Sequence, residues 1–192
     1  GQLGDTRLAD KGLHEDLDLC LECRACKSEC PTSVDMARFK SEFLAGYWDR
    51  HGLSLSAHAF GHAHAASALG SRFAPLSNAI AASAPVRWVM EHTIGVDRRR
   101  TLPKWTRKTL RKLVYPAKAR HDTLTGPRPL LFVDTFTEYE TPEIGVAALD
   151  VLAAAGLSTS LAPNTCCGRP LISQGLLREA RRQGAANVDA LY

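Results

Sequence analysis

The sequence predicts an α + α/β chain, helical through its first half and β-α-β-α in its last third. Three observations lead there. Apolar residues recur at helical spacing through residues 36–47. Pro127 and Pro129 then mark a change of character. The run LLFVD (residues 130–134) follows them, continuous and apolar as a buried parallel strand is.

Residues 1–19 read as a short helix with Leu8, Leu13, Leu17 and Leu19 as its apolar positions. A cysteine-rich loop occupies residues 20–31, after which a hydroxyl of Thr32 or Ser33 is placed to cap the next helix. That helix carries Met36, Phe39, Phe43 and Tyr47 and ends at His51-Gly52. Residues 54–70 are rich in Ala and His, and residues 76–94 read as one further helix, with Pro75, Pro85 and Pro103 as punctuation. In the last third, Thr141-Pro142 opens a helix, because proline at the first helical position gives up no needed hydrogen bond. Ile144, Ala147, Ala148, Val151 and Leu152 form its expected buried face, and Gly156 its left-handed end. LSTSLA (residues 157–162) reads as a second strand. A turn containing Cys166-Cys167-Gly168 leads into a last helix through Leu176, Leu177, Ala180 and Val188. Two strands with a hydrophobic face are marginal in water and leave open edges. The expectation is therefore a domain that continues past Tyr192, or an edge covered by another chain, a second copy included.

The 192 residues are 45% hydrophobic and 23% charged, an ordinary balance for a water-soluble globular protein. No apolar run approaches the roughly 18 residues of a membrane span. The N-terminus, GQLGDTRLADKG, lacks the apolar core of a signal peptide, so a cytoplasmic location is expected. A first residue that is Gly rather than Met suggests a piece excised from something longer. The net charge of +4 is unevenly spread: residues 98–120 hold ten Lys and Arg and no acid. Such a run suits a solvated helix face and linker, and it leaves open a peripheral contact with the inner face of a membrane. No nucleic-acid motif accompanies it, and no nucleic-acid partner is expected.

Six cysteines without an export signal argue for metal or redox chemistry over structural disulfides. Cys20, Cys23, Cys26 and Cys30 stand at C-x2-C-x2-C-x3-C with Pro31 next, the run that holds [4Fe–4S] clusters in bacterial ferredoxins. Two-residue gaps let one tight loop wrap sulfurs around a cubane. A zinc-stabilised interaction module is the competing reading, although zinc usually takes two C-x2-C pairs separated by a longer stretch. In two-cluster ferredoxins the fourth cysteine of such a run ligates the other cluster. Cys30 would then reach towards a cluster whose remaining ligands this chain lacks, since it holds no second run of this kind.

CLECRACKSECPTSVDMARFKSEFL resembles the second ferredoxin motif of FAD-linked oxidases of the D-lactate and D-2-hydroxyacid dehydrogenase type. The resemblance continues through GVDRRRTLPKW, DTF (residues 134–136) and CCGRPLISQGLL (residues 166–177). It is similar in kind to the α-helical ferredoxin fold of glycerol-3-phosphate dehydrogenase and heterodisulfide reductase iron–sulfur subunits. The resemblance implies an α-helical ferredoxin-like domain over residues 1–97, a basic helix or linker over 98–128, and a partial cysteine-rich (CCG) domain over 129–192. It further implies FAD on an upstream domain of the parent protein, not on these residues, together with an upstream first ferredoxin motif. The implied function is electron relay from FAD-dependent oxidation of a D-2-hydroxy acid such as D-lactate, through [4Fe–4S] clusters, to an acceptor the sequence does not identify. The chain alone is not expected to turn over substrate.

Cys166, Cys167, Gly168 and Arg169 form the second candidate site, for a cofactor. Adjacent cysteines point in different directions, Gly168 permits positive φ or a close backbone approach, and Arg169 offers a planar fork to a carboxylate or phosphate. In relatives similar to heterodisulfide reductase a cysteine about thirty residues upstream joins such a turn as a ligand. Here that region reads FVDTFTEY, without one. His58 and His62, four apart, share a helix face; with no acid among them and His64, they read as exposed histidines rather than metal ligands.

Overall fold

The computed structural model describes residues 10–115, 129–163 and 165–192, so Leu8, residues 116–128 of the basic segment and Asn164 lie outside the described residues. In chain order the elements begin with α1 (Lys11–Asp18), α2 (Ala25–Glu29), α3 (Met36–His51), α4 (Leu55–Gly61), α5 (Ala63–Arg72), α6 (Leu76–Ala82) and α7 (Ala84–Ile94). They continue with α8 (Leu110–Val114), β1 (Leu130–Leu131), α9 (Thr135–Tyr139), α10 (Pro142–Ala154), β2 (Ser160–Leu161), α11 (Arg169–Ser173) and α12 (Leu177–Leu191). The chain is mostly helical, with one small parallel sheet among the described residues. None of these helices is long and apolar enough to cross a membrane.

The described residues fall into two compact units. The first runs to His62 and adds Gly168–Arg182; the second comprises those of Ala63–Cys167 with Gln183–Tyr192.

In the first unit, Asp10 caps α1 by accepting the Leu13 amide at 3.0 Å. This sets Leu17 on the same core as Phe43 and Leu44 of α3, with Leu13, Tyr47 and Trp48 packed around it. Leu19, counted with that apolar face, is 83% exposed, because α1 stops at Asp18. The cap of α3 is Asp35, which accepts the Arg38 amide at 3.0 Å. Thr32 and Ser33 do not cap it: Ser33 has φ +54 and Thr32 is engaged with Cys30. The C-terminal sequence returns to this unit through α11, which packs on α3 and α4. Gly175, at φ +72, breaks the expected last helix into α11 and α12. A Cβ there would lie 2.5 Å from Leu44 Cβ and 2.8 Å from the Ala45 nitrogen, so the turn presses backbone on backbone. Trp48 Nε1 donates to the Gln174 carbonyl at 2.8 Å beside it.

In the second unit, residues 76–94 form two helices rather than one. Pro85 lacks an amide, and its ring conflicts with the carbonyl four residues back, so the helix restarts after Ser83. Of the predicted basic helix only Leu110–Val114 is helical among the described residues. The stretch before it is held by Trp105, whose ring lies against Gly70 of α5; Trp105 Nε1 donates to Ser67 Oγ at 3.2 Å. Asn78 and the Trp105 backbone exchange two hydrogen bonds, at 2.8 and 3.0 Å.

The strand expected over residues 130–134 is limited to Leu130–Leu131, paired in parallel with Ser160–Leu161. Asp134 ends it by capping α9, accepting from the amides of Phe136 and Thr137 at 2.7 and 3.0 Å. The expected buried face of α10 is also displaced. Gly145 and Leu149 are buried, whereas Ile144 and Val151 are 59% and 68% exposed. The reason is Leu110 of α8, fully buried, whose Cδ2 stands 2.3 Å from where a Gly145 Cβ would be. Helix α10 therefore turns the residues four apart, 145 and 149, towards α8. Gly156 ends the helix with φ +80, as expected.

Candidate metal centre

The four clustered cysteines lie in the first unit. Cys20 and Cys26 are half-buried, Cys23 is exposed, and all four are free thiols. Cys26 sits in α2 and Cys30 is its C-cap, so the two stand one turn apart, with the Cys30 amide on the Cys26 carbonyl at 2.9 Å. Cys23 lies between Glu22 and Arg24, both left-handed, with φ +53 and +62. For residues with a Cβ this conformation costs about 1–2 kcal/mol each, and such local strain tends to collect at functional loops.

Two of the sulfurs are hydrogen-bonded. The Met36 amide donates to Cys26 Sγ at 3.3 Å, and Cys30 Sγ lies 3.1 Å from Thr32 Oγ1. The Thr32 hydroxyl, then the amides of Val34, Thr32 and Ser33, hold the Cys30 thiol below its ordinary pKa. Amides and a hydroxyl directed at sulfur are what a thiolate ligand needs.

Lys40 fastens the loop to α3. Although a lysine, it is only 9% exposed; its Nζ donates to the Cys20 carbonyl at 2.9 Å and stands 3.9 Å from Glu22 Oε1. Burial pushes the Glu22 carboxyl up, against the opposing charges of Lys40, Arg24 and Arg169. Nothing in the composition separates Lys40 from the other lysines; its helical phase with Phe43 and Leu44 is the one signal. Lys40→Met is expected to lower stability by about 1–3 kcal/mol, because the carbonyl and the carboxylate both lose a charged partner. An unchanged urea midpoint would contradict this role.

Among the described residues no three His, Cys, Asp or Glu side chains are disposed together to hold a metal ion. The fit to an iron–sulfur cluster lies instead in the donor set and the loop. Four thiols fall within eleven residues, two sulfurs are already hydrogen-bonded, and the left-handed residues flank Cys23.

The Cys-Cys-Gly turn is divided between the units. In the second, Cys166 is buried and Cys167 exposed, so the neighbours do point apart. The Cys166 carbonyl accepts from Gln183 Nε2 at 2.7 Å and from Asn187 Nδ2 at 2.8 Å, and Asn187 Oδ1 takes the Thr165 amide at 3.1 Å. Asn187 is itself buried and clamps this turn. Sequence reasoning passed over it, since one Asn in a polar helix gives no periodic signal. In the first unit, Gly168 has φ +80 and precedes α11. Arg169 is exposed there, and its charge reaches Glu22.

The histidines belong to different units. In the first unit His62 stacks on His58 at 4.3 Å and bonds Glu179 Oε2 at 2.9 Å, an acid brought from far along the chain. In the second, His64 Nδ1 lies 3.0 Å from Thr135 Oγ1, with the ring beside Tyr139. Burial, then the Arg111 charge, holds His64 below its ordinary pKa of 6.5. A depressed folded pKa means the folded state prefers the neutral ring. Its contribution is present above the ordinary histidine pKa and is lost as pH falls through the lowered value. His64→Gln is expected to flatten the decline of the urea midpoint below neutral pH; parallel profiles for the two proteins would contradict this.

No family model matches the sequence, and no solved structure matches it. Among curated proteins, the chain is 31% identical over 131 residues to one subunit of the anaerobic glycerol-3-phosphate dehydrogenase of Escherichia coli K12, a match covering 68% of the chain and 33% of that protein. It is 27% identical over 180 residues to the D-2-hydroxyglutarate dehydrogenase of Pseudomonas putida, covering 90% of the chain and 18% of that protein. The E. coli K12 D-2-hydroxyglutarate dehydrogenase is 25% identical over 188 residues, again 18% of its length. The chain thus spans a third or less of the relatives it matches. By sequence it is related to a segment of FAD-linked-oxidase-type dehydrogenases, the family that its two cysteine motifs resemble.

Proposed function

We propose that the chain is the electron-transfer part of a flavin- and iron–sulfur-dependent oxidoreductase, with Cys20, Cys23 and Cys26 as the thiolates that hold one [4Fe–4S] cluster and Cys30 as a ligand reaching towards a second. The observation that carries this is the loop itself: the ligand run, the amide and hydroxyl bonds to Cys26 and Cys30, and the strained backbone around Cys23. Once bound, such a cluster accepts and releases single electrons. The chain's own residues then have defined tasks. The Met36 amide and the donors around Cys30 stabilise negative charge on sulfur, which favours the reduced state. Lys40 positions the start of the loop through the Cys20 carbonyl.

In this reading residues 1–97 are the α-helical ferredoxin-like module, 98–128 a connecting segment and 129–192 a partial cysteine-rich domain. These are functional stretches of sequence and need not coincide with the compact units. Cys166, Cys167, Gly168 and Arg169 serve as a secondary cofactor contact in the latter part. The electrons come from an FAD-bearing partner, on the same or another chain, that oxidises a D-2-hydroxy acid, as the names of the D-2-hydroxyglutarate dehydrogenases suggest. A second reading has a specific ground. The higher identity is to a glycerol-3-phosphate dehydrogenase, so a glycerol phosphate is the alternative source. The test is anaerobic: the cluster-loaded protein with its flavin partner is mixed with D-2-hydroxyglutarate, D-lactate or glycerol 3-phosphate. Bleaching of the cluster by a hydroxy acid supports the first reading and bleaching by glycerol 3-phosphate alone the second. No reduction by any of them, with an intact flavin that is itself reduced, contradicts the relay.

A further inference from the structure

The second unit contains a basic cavity of about 490 Å3 that neither the cysteine loop nor the Cys-Cys-Gly turn accounts for. Its charged lining is Arg87, Arg98, Arg99, Arg100 and Lys104, and no acidic residue is among the described residues that line it. Two acids stand near the arginines: Glu91, 3.3 Å from Arg98 Nε, and Asp97, 2.7 Å from Arg99 Nη2. Five cations with two carboxylates beside them leave an excess of three positive charges.

Arg87 is the residue that needs a partner. It is 7% exposed, in the first turn of α7, where an unpaired cation is costly. Its Nη2 donates to the carbonyls of Asp97, at 3.0 Å, and Arg100. Its Nη1 is buried and has no hydrogen-bond acceptor. No ion pair involves Arg87, Arg100 or Lys104 among the described residues. A buried guanidinium N–H without an acceptor is destabilising, and Arg87 is one of the residues that line the cavity.

We propose that the cavity binds a phosphate-bearing ligand. Guanidinium forks match phosphate oxygens in pairs, and several cations suit a group of two negative charges better than a single carboxylate. The volume exceeds that of a phosphate alone and falls within the range of ligand pockets, about 300–1,000 Å3. Ala82, Leu102 and Pro103 supply an apolar wall for the rest of the molecule. The same chemistry is found on a soluble phosphorylated metabolite and on an anionic lipid headgroup. The site stands in the second unit and does not depend on the cluster reading.

The test is calorimetric titration of the whole chain with inorganic phosphate at low salt, and vesicle sedimentation as a second arm. Saturable binding that weakens with added sodium chloride is expected. The double variant Arg100→Gln/Lys104→Gln, altered only in exposed side chains, should bind about tenfold more weakly or worse, the loss expected from removing charged hydrogen bonds. Arg87→Met should abolish binding, with circular dichroism to show that it folds. Sedimentation with phosphatidylcholine vesicles containing phosphatidic acid, competed by phosphate, identifies a lipid headgroup as the source. Phosphate binding without sedimentation identifies a soluble ligand. Absence of saturable phosphate binding, or binding that is unchanged in the double variant, overturns the proposal.

Discussion

Serine in place of Cys26 is expected to strip the protein of its iron. Cys26 is the centre of the run, its sulfur takes the Met36 amide at 3.3 Å, and α2 holds it one turn from Cys30. A serine hydroxyl is far harder to deprotonate and is a poor ligand for iron in a cluster. Outer partners of a metal ligand are worth about 10–100-fold in affinity, and a ligand at least as much. Anaerobically prepared Cys26→Ser should therefore retain a tenth or less of the parent's iron and sulfide, about that fold, and lose the broad visible absorbance of the cluster. Asp150→Asn, a change of an exposed residue in the other unit, should leave both unchanged. Equal iron in the parent and in Cys26→Ser would place the cluster elsewhere.

Leu110→Ala is expected to give the largest loss of stability. Leu110 is fully buried in α8, against Gly145 of α10. The glycine removes any side chain that could relax into the space. A Leu→Ala change in such a site costs about 2–5 kcal/mol, the transfer term plus the cavity. The denaturant midpoint of the second unit should fall accordingly, and Gly145→Ala should also be destabilising, since its Cβ would meet Leu110. A shift below about 1 kcal/mol for Leu110→Ala would contradict that packing.

These two cases show what the sequence made legible. The cysteine run stood out as a candidate ligand set by spacing alone, because its four thiols are neighbours in sequence. Helix α3 ended at His51 as its glycine foretold, and Pro142 and Gly156 bracketed α10. These are local rules, written in adjacent residues. Long-range choices were not legible. The burial of Gly145 and Leu149 rather than Ile144 and Val151 is decided by Leu110, some thirty-five residues away. The split at Gly175 is set by its contact with α3, and the clamp on Cys166 by an Asn in α12. The cap of α3 fell to Asp35 because Thr32 faces Cys30, a competition between two local partners that composition alone does not resolve. Arg87 was unremarkable in sequence; only its burial in α7 and its unsatisfied nitrogen set it apart.

In the proposed reading the loop of residues 20–30 holds an iron–sulfur cluster and not zinc. The most direct measurement is elemental analysis of anaerobically purified protein for iron, acid-labile sulfide and zinc, with EPR spectra after reduction. Iron and sulfide in equal amounts and an EPR signal of a reduced [4Fe–4S] cluster are expected. Zinc bound to reduced cysteines, with neither iron nor sulfide retained after reconstitution, would contradict it.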